Sequence, residues 1–284
     1  MSGAIATSEE YNEFEETVAV TEEPTEAPTQ PPITSADVGM QKYVDVLEQT
    51  YYKGNLGATY SKKETTFKVW SPLATSVKVR IYTKGTDGED GAQMLSETAM
   101  KLVPKYGTWV LTLKGDYKNK YYTYLVTVNG KTNEVVDPYA KAVGANGNRG
   151  MVVDLNSTDP KGWKDDKFNR VSSMTDAVIW EVSVRDFSAS ETSGVSEKNR
   201  GKFLAFTEEG TVVDSVEGSL PTCVDYLKEL GVNYVQINPF YDFHSIDETD
   251  TVNPQYNWGY DPKNYNVPEG SYSSNPYPIS MQKI

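Results

Sequence analysis

The period of the side chains changes once along this sequence, and that change limits the fold more than any single motif. From Tyr51 to Leu155 apolar and polar residues alternate. "TTFKVWSP" sets Phe67 and Val69 against Lys68 and Trp70. "SVKVRIYTKG" sets Val77, Val79 and Ile81 against Lys78, Arg80 and Tyr82. "GTWVLTLKG" and "KYYTYLVTVNG" continue the alternation, and Asn129-Gly130 is a strong two-residue hairpin turn. Period two, broken by turn residues every ten or so positions, predicts an antiparallel, immunoglobulin-like β-sandwich over residues 46–156. Trp70, Trp109 and the Tyr121, Tyr122, Tyr124 cluster read as core and cross-strand partners in preference to an exposed platform.

After a polar connector, 157–172, the pattern over 173–284 is different. "DAVIWEVSVRDFS" opens with four apolar residues, Ala177 to Trp180, as a strand buried on both faces would. In "SLPTCVDYLKELG" the residues Leu220, Cys223, Leu227 and Leu230 recur at helical spacing. Ser219 suits a cap, Pro221 a first turn and Gly231 a stop. "VNYVQINPF" is again a strand, so the unit reads as βαβ with parallel strands. A loop then runs from 239 to 282 without periodicity, at the strand end where parallel sheets and barrels build their sites.

Composition removes several function classes. The formal charge is −13; the first forty residues hold nine acids and no base, so the rest carries only −4. No basic stripe offers itself to nucleic acid or to an anionic membrane surface, and no apolar run is long enough to span a bilayer. Residues 1–45, rich in Thr, Pro and Glu, read as a disordered acidic linker. One cysteine excludes a disulfide framework within the chain, and one cysteine with one histidine is too few for a Cys/His zinc site. Cys223 reads as a small core residue and His244 as a solvated loop residue.

"YNWGYDPKNYNVPEGSYS", from Tyr256 to Ser273, carries the chemistry. A sugar ring offers C–H faces to aromatic rings and edge hydroxyls to Asn, Asp and Glu. The loop supplies both kinds of partner, and its prolines lower the entropy lost on binding. On composition alone two readings stay open: a glucan-binding ledge, or a loop that packs its rings on its own scaffold.

The same stretch resembles the loop after the second barrel strand of type I pullulanases, α-1,6-glucan debranching enzymes of the α-amylase family. "WEVSVRDFS" resembles their first barrel strand, and "LKELGVNYVQINPFYDF" their first helix and second strand. "GNLGATYSKKETTFKVWSPLA" and "VVDPYAKAVGANGNRGMVVDL" resemble the preceding isoamylase-like module. Ser183 departs from the histidine usual in that first strand. The resemblance implies a β-sandwich carbohydrate-binding module followed by an incomplete α/β TIM barrel, the opening portion of a retaining glycoside hydrolase for pullulan, starch or glycogen. It implies no catalytic residue in this chain, since the family's carboxylates follow later strands, and hence no activity of the chain alone. Tyr260 is the ring expected to stack on glucose. Trp258 and Asn257 shape the loop, and Asp261 accepts from loop amides or stabilises a turn. No cofactor is expected, although the acidic loops leave calcium open in the full-length enzyme. The linker suggests an extracellular or cell-surface protein, with a cytoplasmic one as alternative. The competing functions are a stand-alone α-glucan-binding protein without catalysis, and another enzyme of the α-amylase family such as isoamylase or branching enzyme.

Overall fold

A computed structural model of the chain describes residues 40–168, 170–250, 253 and 255–274. Most of the expected acidic linker, and the end of the long loop after 274, lie outside the described residues. Helix α1 (Met40–Gln49) overlaps the last residues of the range 1–45 and leads into the sandwich.

Eight strands form the expected sandwich. They are β1 (Gly57–Tyr60), β2 (Glu64–Trp70), β3 (Ser76–Tyr82), β4 (Met94–Ala99), β5 (Lys101–Val103), β6 (Thr108–Lys114), β7 (Tyr121–Val128) and β8 (Lys131–Val135). One antiparallel sheet runs β1-β2-β6-β5 and the other β4-β3-β7-β8, with the short β9 (Gly150–Met151) added beside β7. The alternation sorts most side chains as expected. Phe67, Val69, Val77, Val79, Ile81, Trp109, Tyr122 and Tyr124 meet in one core drawn from both sheets. Tyr82, set with Lys78 and Arg80 on the polar face, is instead buried in a second cluster with Tyr121, Ala142 and Met151, after a register shift at Ile81/Tyr82. Asn129 (φ 55°) and Gly130 (φ 72°) are both left-handed, as a type I′ turn between β7 and β8 requires. The two tryptophans part company. Trp109 is buried with its indole N–H on the Ser71 carbonyl (3.0 Å), whereas Trp70 is exposed and donates to the Thr50 carbonyl (2.8 Å).

Beyond the connector, β10 (Ile179–Val182) and β11 (Tyr234–Ile237) pair in parallel, with Ile179 opposite Tyr234 and Val182 opposite Ile237. Between them in sequence lies α2 (Cys223–Glu229). Three expectations need correction here. The strand does not begin at Ala177, and it is not buried on both faces: Ile179 is 61% exposed, and Trp180, Val235 and Ile237 also face outward. Tyr226 of α2 meets Trp180 edge to face at 6.0 Å, which covers the two-stranded ribbon only in part. The helix is not capped by Ser219, because the chain before it is drawn into an antiparallel bridge. Val213 N–H donates to Leu220 O (3.0 Å) and Thr222 N–H to Thr211 O (2.9 Å), which delays the helix to Cys223 with Thr222 as N-cap. Finally, the loop 239–282 is not free of strands. β12 (Tyr241–Phe243) and β13 (Pro262–Pro268) pair antiparallel with two register shifts. Among the described residues parallel pairing is confined to β10 and β11, so they form no barrel. No helix among them is long and apolar enough to cross a membrane.

Candidate functional site

The aromatic loop is laid across the end of β11. Gly259 (φ +84°) makes this approach available, since a Cβ there would overlap the Pro239 carbonyl oxygen. Two neighbours of Gly259 fix the loop's shape. Asn257 accepts the Gly259 N–H (2.6 Å) and donates to Ser245 Oγ (2.8 Å). Asp261 accepts the Ser245 N–H at its carboxylate (2.9 Å) and the His244 N–H at its carbonyl (3.2 Å). Burial raises the Asp261 carboxyl, but the hydrogen bonds from Ser245 and Asn257 outweigh it and hold the group below its ordinary value. Asn257 and Asp261 therefore shape and tie the loop. His244 is exposed, and Cys223 is buried with its thiol on the Phe187 carbonyl (3.3 Å).

Trp258 and Tyr260 flank the pinned glycine and face solvent, 64% and 63% exposed. Among the described residues no ring contact or side-chain hydrogen bond holds Tyr260. Trp258 meets Tyr256 edge to face at 6.0 Å. Tyr256 in turn donates its hydroxyl to Asp186 Oδ2 (2.7 Å), just past β10. Two large rings standing clear of a rigid loop can receive the C–H face of a sugar, and the Asn and Asp groups beside them can meet hydroxyls. The four residues singled out in the sequence thus come together, two as exposed rings and two as loop ties. Asp186 and Tyr256 were not foreseen as partners, because seventy positions separate them.

A second constellation lies on the acidic loops, where no ligand spacing in the sequence singled out its members. Asp242, Glu248 and Glu269 bring carboxylate oxygens within 4.8 Å of one another. Glu269 is fully buried and accepts the Phe243 N–H (3.1 Å) and the Ser271 N–H (2.8 Å). Asn264 donates to Asp242 (2.7 Å) and to Gly147 O (2.9 Å), and Asn146 N–H donates to Glu248 (3.0 Å). Burial, then the Glu269 and Asp242 charges, push Glu248 up to about 8; burial also raises Asp242 and Glu269. Three converging carboxylates, with no thiol or imidazole, suit a hard divalent cation such as calcium in donor type and charge. These three residues are the ones that would hold it. The cluster also fastens β12 and β13 to the sandwich turn at 146–148, where Lys263 Nζ reaches Asn146 O and Asn148 Oδ1, both at 2.7 Å.

Comparison with known proteins bears on both halves. Residues 55–140 match carbohydrate-binding module 48, the isoamylase N-terminal domain. The sandwich is thus a module of carbohydrate-active proteins. Over 236 residues, 83% of its length, the chain is 38% identical to the pullulanase of Bacillus subtilis strain 168, and it spans 30% of that protein. Pullulanase A of Streptococcus pneumoniae is 31% identical over 261 residues, 81% of this chain and 19% of its own. Among solved structures, the pullulanase of Paenibacillus barengoltzii in complex with maltohexaose and α-cyclodextrin superposes with a TM-score of 0.76 at 45% identity. That match covers 84% of this chain and 36% of the other. Over more than four fifths of its length the chain is similar to pullulanases, and it spans less than a third of the length of these curated relatives.

Proposed function

We propose that the chain is the N-terminal portion of a pullulanase-type starch-debranching enzyme. In this reading the enzyme hydrolyses α-1,6-glucosidic bonds of pullulan, amylopectin or glycogen with retention. One observation carries it: the rigid ledge of Trp258 and Tyr260 stands beyond the C-terminal end of a parallel strand pair whose apolar faces are covered only in part. Such a pair is the start of a larger parallel sheet, and the strand ends of a parallel barrel are where its site is built. The (β/α)8 barrel is accordingly proposed for the whole enzyme, with further strands covering Ile179, Trp180, Val235 and Ile237.

Within the chain the roles divide by chemistry. The Tyr260 face stacks on a glucosyl ring, Trp258 extends the ledge, and Asn257 and Asp261 hold both rings in place before sugar arrives, so little order remains to be imposed on binding. The nucleophile and the acid/base come from outside this chain, so the chain alone binds α-glucan and does not cleave it. Export to the cell surface or medium is part of the same proposal.

The test is calorimetric titration of the 284-residue chain with maltohexaose. The expected result is binding that falls about tenfold or more in Tyr260→Ala, the order expected when a stacked ring is lost, without reducing-sugar release from pullulan. Undiminished binding by Tyr260→Ala overturns the role of the ledge, and reducing-sugar release by the chain overturns the assignment of catalysis elsewhere.

A further inference from the structure

Trp258 stands on a loop that is tied from two directions. On one side Asn257 bonds Ser245, beside β12. On the other, the tie comes from the turn that follows β10. That turn is itself fixed, with Phe187 N–H on Ser183 O (3.0 Å) and Ala189 N–H on Arg185 O (3.0 Å). Asp186 at its centre divides its carboxylate between two partners. Oδ1 accepts from Arg185 Nη1 (3.1 Å) and Oδ2 from the Tyr256 hydroxyl (2.7 Å). The Arg185 guanidinium lies 4.9 Å from the centre of the Tyr256 ring. Tyr256 is therefore gripped at its hydroxyl edge and on its face, which fixes the plane of the ring against which Trp258 packs edge-on at 76°. The phenol responds to the grip: the hydrogen bond to Asp186, then burial, raise it above its ordinary value.

We infer that Asp186 is a positioning residue for sugar recognition, which sets the orientation of Trp258 through Tyr256 and so couples the turn after β10 to the glucan ledge. This rests on the function proposed above. Its physical basis is that a ring exposed on one side and packed against a single aromatic neighbour takes its orientation from that neighbour. An unfixed Tyr256 lets the indole sample several orientations, and binding sugar then requires it to be ordered. The grip is a network, so its members act together.

The experiment reads two signals on the full chain. The first is the indole ¹H–¹⁵N cross-peak of Trp258, identified by its absence in Trp258→Phe. The second is the dissociation constant for maltohexaose. Asp186→Ala and Tyr256→Phe should each shift or broaden the cross-peak and weaken binding by roughly tenfold, the cost of one charge-assisted hydrogen bond. The double variant should be no worse than either single one. Asp186→Asn, which keeps an acceptor for the hydroxyl and loses the charge facing Arg185, should fall between. An unchanged cross-peak in both single variants overturns the inference. So does a shifted cross-peak with unchanged affinity. A wild-type chain that binds no maltohexaose sinks the proposed function, and the cross-peak alone then judges whether Asp186 orients Trp258.

Discussion

Removing the buried carboxylate of Asp137 should expose how the sandwich core tolerates polar atoms. Asp137 is 1% exposed, and its Oδ2 accepts the hydroxyls of Tyr122 (2.8 Å) and Tyr124 (3.0 Å), while Oδ1 accepts the Tyr139 N–H (2.8 Å). Both tyrosines are fully buried between the sheets. In Asp137→Ala the two hydroxyls lose their acceptor where no water replaces it, at about 1–3 kcal/mol each. The sum is about 2–6 kcal/mol. Burial already raises the Asp137 carboxyl above its ordinary value, so deleting it also removes a desolvation cost, and the lower half of that range, about 3 kcal/mol, is expected. Hydrogen exchange of the β3 and β7 amides in the full chain reads this as a loss of opening free energy. Adding Tyr122→Phe and Tyr124→Phe removes the stranded hydroxyls and should recover most of the loss. Varying the pH supplies a control. A carboxyl raised on folding contributes stability that is present below its unfolded pKa and lost as pH rises through the folded one. Asp137→Asn should abolish that part of the pH dependence. A loss under about 1 kcal/mol in Asp137→Ala, or no recovery in the triple variant, refutes the reasoning.

Two further outcomes are expected at the other sites. Glu248, raised from 4.5 to about 8, contributes stability that is complete below about 4.5 and lost as pH climbs toward 8. The thermal midpoint of the chain should therefore fall from about pH 5 to about pH 8. Calcium should restore it at the upper end, chelation should reverse that gain, and Glu248→Gln should flatten the profile; a calcium-insensitive midpoint counts against the cation site. Gly259→Ala should displace the ledge, because the added methyl meets the Pro239 carbonyl at a positive φ. A destabilisation of about 1–3 kcal/mol by urea unfolding is expected, together with weaker maltohexaose binding, and wild-type behaviour in both would show that the close approach is not required.

The sequence by itself determined what depends on neighbours along the chain. Period-two alternation placed Phe67, Val79 and Tyr124 in one core, and Asn129-Gly130 specified its turn because only residues at ease with positive φ fit there. The strand, helix and strand order was legible too, and so were the rings at 258 and 260. Tertiary structure alone decided the rest. It started α2 at Cys223, because a bridge to residues 211–213 outcompeted a cap at Ser219. It found β13 in a segment whose prolines hid a strand, and it left β10 only partly covered despite its apolar run. It also made the contacts of Asp186 with Tyr256 and of Asp242 with Glu248 and Glu269. Local pattern reports which face of an element is apolar, whereas the meeting of two irregular loops is set by how the elements between them pack, and no spacing along the chain encodes that distance.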